Sequence, residues 1–278
     1  MFLKNKSVPT AELFTGRRWE KGEVEDTRDA IASEVALALV YNGKPFVVMM
    51  VTPQDIEDFA LGFSLSEGII RDRSELTGMR VRPVVDGIEA DIQIAEDRFR
   101  ELERKQRNLT GRIGCGLCGA QTVAQAVRHP RPVLRTVCMS AEAIRRAMAG
   151  LCEQQPLNAG TGSVHAAAWA TAEGKVMLVR EDVGRHNALD KLIGAMVSGN
   201  VDTRNGAALI TSRASHEMVQ KAATVGIQVL CAISAPTALA IRLAKESGVT
   251  LIAFARGDRH TVYAHPDRVL HGQEQVAV

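Results

Sequence analysis

Ile227-Gln228-Val229-Leu230-Cys231-Ala232-Ile233-Ser234-Ala235-Pro236 is the stretch whose reading decides the fold. It lies inside the run 222–241, twenty residues without a charge, which is the length of a membrane-spanning helix. Gly226 and Gln228 interrupt that run at the front and Ser234-Ala235-Pro236 at the back. It therefore divides into a helix end, a short strand over 227–233 and a new helix opening at Pro236. The same rhythm extends to both sides. A strand over 176–180 precedes a helix from Arg185, a strand over 207–211 precedes a helix from Ser215, and a last strand covers 250–254. Strands separated by crossover helices predict a mostly parallel sheet with helices on both faces.

The first half has a different pattern. Residues 35–40 and 46–51 flank Asn42-Gly43, and 79–85 and 88–94 flank Asp86-Gly87, dipeptides that favour type I′ hairpin turns. Between the hairpins, Thr52-Pro53-Gln54-Asp55 opens a helix whose stripe Ile56, Phe59, Ala60 and Phe63 reads as core. Residues 96–107 alternate charges at i,i+4 spacing and read as a solvated helix. Arg128-His129-Pro130-Arg131-Pro132 reads as a linker. The expectation is an α/β protein with a smaller α+β domain of antiparallel hairpins over 1–130, ending in the linker, and the mostly parallel sheet over 131–278.

Composition narrows function mainly by exclusion. The chain has 278 residues and a net charge of +2, with 2 Trp, 2 Tyr and 7 Phe, so neither a basic nucleic-acid surface nor an aromatic base-stacking platform is indicated. The opening Met1-Phe2-Leu3-Lys4-Asn5-Lys6 leads into polar residues, which is not the pattern of a secretory signal. Together with an odd count of 5 cysteines, this points to a reducing compartment, by default the cytoplasm, with no membrane partner. Cys231 sits in an apolar run and reads as core, while Cys138 and Cys152 flank a predicted helix and read as structural.

Ligands of an open parallel sheet bind beyond the carboxyl ends of its strands, so the segments after each strand are read together. They are Glu181-Asp182-Val183-Gly184-Arg185-His186, Ser212-Arg213-Ala214-Ser215-His216-Glu217, Ser234-Ala235-Pro236-Thr237 and Ala255-Arg256-Gly257-Asp258-Arg259. Converging on one edge, they bring Arg185, Arg213, Arg256 and Arg259, with glycines that permit close backbone approach and helix N-termini whose free N–H groups favour anions, an arrangement suited to a phosphorylated ligand. Taken singly, each loop has a plainer reading: Ser212 or Ser234 caps a helix, and Asp182 or Asp258 pairs with an arginine. Ser215-His216-Glu217 is no catalytic triad, because adjacent helical residues point apart.

Gly111-Arg112-Ile113-Gly114-Cys115-Gly116-Leu117-Cys118-Gly119 is the second candidate. Arg112 favours the thiolate, and glycines on both sides suit a thiol that must face a donor and then an acceptor, as a persulfide carrier does. A structural zinc site lacks a second ligand pair, and a thioredoxin-type site lacks its strand-to-helix context, so no metal is expected. Zinc-dependent deamination also fails, because His165 is followed by Ala166-Ala167 and no Pro precedes the CxxC. His165 reads equally well as a packed histidine at a helix start.

These residues resemble the FdhD family of formate dehydrogenase accessory sulfurtransferases. The resemblance runs from about Glu34 onward through Val40-Tyr41-Asn42-Gly43, Phe59-Ala60-Leu61-Gly62-Phe63, Ser66-Glu67-Gly68, Gly114-Cys115-Gly116-Leu117-Cys118-Gly119, His165-Ala166-Ala167, the block from Asp182 to Lys191 and the block from Ser212 to Lys221. It implies a sulfur carrier, commonly a homodimer, that takes persulfide sulfur from a cysteine desulfurase. The sulfur then goes to the molybdenum of the bis(molybdopterin guanine dinucleotide) cofactor of formate dehydrogenase. By resemblance Cys115 is the persulfide cysteine and Cys118 its neighbour, and Phe254-Ala255-Arg256-Gly257-Asp258-Arg259 is the cofactor-binding stretch, for which GDP is a natural mimic. The second domain would be similar to cytidine deaminases without their zinc. Two departures stand out: Gly162-Ser163-Val164-His165 in place of Gly-Gly-Thr-His, and Gly257-Asp258 in place of Pro-Gly. Asp258 would oppose a diphosphate unless it turns toward Arg256 or Arg259. A non-catalytic cofactor-binding chaperone with a redox or metal CxxC is the alternative.

Overall fold

Turns built on left-handed residues lay out the first half of the chain. The computed structural model describes residues 8–107 and 130–271. Strands β1 (Ala11–Glu20) and β2 (Glu23–Ala32) form an antiparallel ribbon around Lys21-Gly22, both at positive φ (53° and 93°). Nothing in the sequence pattern announced it, because charged residues occur on both of its faces and no apolar alternation results. β3 (Val35–Tyr41) and β4 (Lys44–Val51) enclose Asn42-Gly43 at φ 45° and 78°, the expected type I′ geometry.

The second expected turn differs. Between β5 (Leu76–Val84) and β6 (Gly87–Ile94) the loop is Val85-Asp86, only Asp86 of the two has positive φ, and Gly87 already pairs with Val84. A Cβ on Gly87 would lie 2.4 Å from the Ala36 carbonyl oxygen, so the glycine serves close strand packing rather than the turn. The two hairpins also fuse. β3 pairs parallel with β6, giving one four-stranded sheet in the order β4-β3-β6-β5. Helix α1 (Ile56–Ser66) connects β4 to the segment before β5 and buries Ile56, Phe59, Ala60 and Phe63, as its stripe predicts.

Helix α2 (Glu96–Arg107) corrects the reading of a wholly solvated element. Its Glu96–Arg100 pair is on the surface, but Phe99, Leu102 and Arg98 are buried. The Arg98 guanidinium donates to the Gly68 and Ile69 carbonyls at 2.9–3.1 Å, just beyond the end of α1, where backbone oxygens need donors.

The second half continues with β7 (Met139–Ser140), α3 (Ala141–Glu153), α4 (Pro156–Thr161), β8 (His165–Thr171), β9 (Val176–Asp182), α5 (Arg185–Ser198), β10 (Gly206–Ile210), α6 (His216–Thr224), β11 (Val229–Ala232), α7 (Ala238–Ser247), β12 (Thr250–Arg256), β13 (Arg259–Ala264) and β14 (Val269–Leu270). Six of these strands form one sheet in the order β13-β12-β11-β10-β8-β9. β9, β10, β11 and β12 run in one direction, which is the parallel character expected. β8 and β13 run the other way, so the sheet is mixed and adjacent parallel pairing is confined to β10-β11-β12. β8 also corrects the placing of His165, which opens a strand and not a helix.

Alternate strand residues supply two cores. Ala208, Ile210, Leu230, Ala232, Leu251 and Ala253 join the cluster that includes α5, α6, α7 and α1, whereas Ala207, Leu209, Val229, Cys231 and Ile252 join the one that includes α3. Helices thus cover both faces. Burial pushes the Cys231 thiol up to about 12, consistent with a core residue, whereas Cys138 and Cys152 are exposed, contrary to a structural role. Cys152 follows Leu151 and falls off the buried stripe of α3. The uncharged run 222–241 resolves into the end of α6, β11 and the start of α7. No helix among the described residues is long and apolar enough to cross a membrane.

The two halves meet at the seam between α1 and α5. A Cβ on Gly62 would sit 1.7 Å from the Asp190 carbonyl oxygen, and one on Gly194 would sit 1.9 Å from that of Asp58. Two buried ion pairs flank this approach. Lys221 Nζ lies 2.9 Å from Asp190 Oδ2 and donates to Glu67 Oε1 at 2.8 Å and Ser66 Oγ at 2.9 Å. Lys191 Nζ lies 2.7 Å from Asp182 Oδ2 and donates to the Thr52 carbonyl at 2.9 Å. One apolar core therefore continues from the four-stranded sheet through the seam to the six-stranded one.

Candidate functional site

Because β9, β10, β11 and β12 share a direction, their carboxyl ends emerge on one edge, as the strand-end argument requires. The loop after β9 is anchored by Asp182. Its Oδ1 accepts from Gly184 N and Asn187 Nδ2 at 2.8 Å each, and its Oδ2 accepts from Thr52 N at 3.0 Å as well as meeting Lys191. Asp182 thus pairs with a lysine and not with the arginine expected. Arg185 and His186 follow at the start of α5.

Across the edge, β10 leads to Thr211, Ser212, Arg213 and the start of α6. Ser215 is the N-cap but makes no side-chain cap, and Ser212 Oγ bonds the Arg213 carbonyl, so neither serine caps in the ordinary way. Ser234 does not cap either, since Thr237 caps α7 by accepting from Ala240 N. Glu217 Oε2 lies 2.9 Å from His186 Nε2, with Ser215 Oγ at 3.5 Å. His165, at the start of β8 between these loops, places Nδ1 3.5 Å from Thr211 Oγ1.

The electrostatics of this cluster are cationic. Burial, helped by the charges of Arg185 and His186, holds the His165 pKa below the usual histidine value. Burial alone would raise Glu217, but the hydrogen bond and charge of His186, with His216 and Arg185 nearby, bring it below the usual glutamate value. Arg185 Nε and His216 Nε2 are buried polar atoms without a hydrogen-bond partner among the described residues. Buried donors left open beside arginines are what an anionic group would satisfy.

The remaining edge is the turn from β12 to β13. Phe254 has φ 53°, donates its N–H to the Ser234 carbonyl at 3.2 Å and packs on Tyr263. Ala255 is buried, and Arg256 Nε donates to the Ile233 carbonyl at 2.9 Å. Gly257, at φ 55°, faces open space, and Arg259 is exposed. Asp258 is 94% exposed and lies 3.9 Å from Arg145 of α3, so it pairs with neither Arg256 nor Arg259. Its carboxylate is drawn to the side of the turn where α3 lies.

Cys115 and Cys118 lie outside the described residues. His186, Glu217, His165 and Thr211 were not singled out as a group from the sequence. All four lie in or beside strand-end segments, yet their pairing depends on β8 lying between β9 and β10, which no local pattern announces. Among the described residues no group of three or more His, Cys, Asp and Glu side chains is arranged to hold a metal.

Comparison with known proteins gives the chain a family. The model of the FdhD/NarQ family matches residues 32–270. Sulfur carrier protein FdhD of Cupriavidus necator is 49% identical over 263 residues, covering 95% of this chain and 91% of that one. Sulfur carrier protein FdhD of Xanthomonas campestris pv. campestris is 50% identical over 262 residues, covering 94% and 93%. The crystal structure of a protein from Desulfotalea psychrophila, described as a proposed formate dehydrogenase accessory protein, superimposes with a TM-score of 0.75 at 25% identity, over 94% of this chain and 100% of that one. On the strength of a family match that spans both halves of the fold and the whole strand-end edge, the chain belongs to the FdhD/NarQ family.

Proposed function

We propose that this chain is a sulfur carrier in the maturation of formate dehydrogenase. The cysteine desulfurase supplies a persulfide, and the Cys115 thiolate attacks its outer sulfur. The desulfurase thiolate leaves and a persulfide remains on Cys115, with Cys118 beside it in the motif. That sulfur is destined for the molybdenum of bis(molybdopterin guanine dinucleotide), which is cargo held at the strand ends. There Phe254, Ala255, Arg256, Gly257, Asp258 and Arg259 form one wall, and Arg185 and Arg213 supply positive charge to the phosphates. The protein works as a homodimer in the cytoplasm.

The observation that carries this reading is the edge itself: four strand ends with four arginines and buried donors left open, in a chain about half identical to named sulfur carriers. Intact mass spectrometry after incubation with a cysteine desulfurase and cysteine is expected to show one added sulfur, absent in Cys115→Ala. An adduct that survives that substitution overturns the assignment. GDP is expected to bind wild-type protein in calorimetry and to bind Arg259→Ala at least ~10-fold more weakly, the loss typical of one charge-assisted contact.

A further inference from the structure

Away from the loops after β9, β10 and β11, two histidines meet on the surface. His260 is the second residue of β13, directly after the Arg256–Arg259 turn, and His271 follows β14. Both backbones are placed by strand pairing: β13 lies on β12, with Ile252 opposite Val262, and β14 lies on β7, with Leu270 opposite Ser140. The Nε2 atoms are 3.1 Å apart, while the ring centroids are 5.2 Å apart and the planes differ by 22°. The rings therefore meet edge to edge, nitrogen toward nitrogen.

With no ion bound, an Nε2–H on one ring donating to the Nε2 lone pair of the other accounts for this contact. A metal satisfies both lone pairs. Nitrogens bound at ~2.05 Å to one ion, at the ~90–109° angles of square-planar or tetrahedral geometry, lie ~2.9–3.3 Å apart. The observed separation falls in that interval, so small ring rotations suffice and no strand has to move.

We infer that His260 and His271 form a two-histidine site for a divalent first-row transition ion of the imidazole-preferring class, with zinc, nickel and copper as its members. No third protein ligand stands close among the described residues, so water or an exogenous donor completes the coordination. The ion clips the start of β13 to the C-terminal strand β14, tying down the turn that precedes His260.

Zinc calorimetry on the full chain carrying Cys115→Ser and Cys118→Ser, so that the thiol pair adds no binding, tests this. One zinc per chain is expected, weakened ~10-fold or more in His260→Asn and equally in His271→Asn, and unchanged in His186→Asn. Hydrogen exchange over residues 259–271 is expected to slow with zinc in the parent and not in either variant. No zinc binding, binding unaffected by both substitutions, or an equal loss in His186→Asn overturns the site.

Discussion

The seam between α1 and α5 and the edge beyond β9 to β12 use the same charged residue types to opposite ends. At the seam every charge has its answer: Lys221 meets Asp190, Glu67 and Ser66, and Lys191 meets Asp182 and Thr52. At the edge, Arg185 and His216 keep buried nitrogens without partners among the described residues, and Arg213 and Arg259 face solvent. Buried charge that is fully paired holds helices together, whereas donors left open at a strand end wait for a ligand. Asp190 and Lys191, neighbours on α5, show how local this is. Each turns to a different pair, and although burial opposes both lysine charges, Asp190 and Glu67 raise the Lys221 pKa while Lys191 remains lowered despite Asp182.

Substitutions at the seam break this contrast most severely. Lys191→Met strands Asp182 without its counter-ion and is expected to cost about 3–5 kcal/mol in urea denaturation, and to loosen the loop carrying Arg185. Gly62→Ala drives a methyl into the Asp190 carbonyl and is expected to cost about 3 kcal/mol, at the upper end of overpacking because backbone must yield. At the edge the balance reverses. Arg213→Ala is expected to leave the unfolding free energy in urea within about 0.5 kcal/mol of wild type while weakening GDP binding, and an equal loss of both would place the residue with the seam.

The pH dependence sharpens the comparison further. His165 has a folded pKa below its ordinary value of 6.5, so the unfolded chain binds more protons. Its contribution to stability is whole above pH 6.5 and is lost as pH falls through the folded value. Glu217, also lowered, contributes above its ordinary 4.5 and loses that contribution at lower pH still. His165→Asn is therefore expected to flatten the stability profile just below pH 6.5, and Glu217→Gln to flatten it only below 4.5; histidine ring titration by NMR reads the first directly.

Much of this edge is legible in the sequence. Strand, polar loop with glycine or proline, then helix is a local signal, and it placed Arg185, Arg213, Arg256 and Arg259 on one side correctly. What was not legible depended on partners distant in sequence. Ala166-Ala167-Ala168 carries no strand propensity of its own, and β8 exists because two neighbours flank it on both edges. Without β8 the meeting of His186 and Glu217 could not be foreseen. Gly87 read as a turn glycine because its near neighbour is Asp86, while its actual constraint comes from Ala36, far back along the chain.

The ribbon of β1 and β2 pairs only with itself and carries Trp19 at 71% exposure, while Trp169 sits on β8 at 2%. These are the chain's 2 tryptophans, so the molecule holds one solvent-facing and one core fluorophore. An aqueous quencher should reach the first and spare the second, and a spectral shift on denaturation should come almost wholly from Trp169. Removing Trp19 by substitution would leave a single optical reporter on the strand that joins the two sides of the edge, four residues along it from His165.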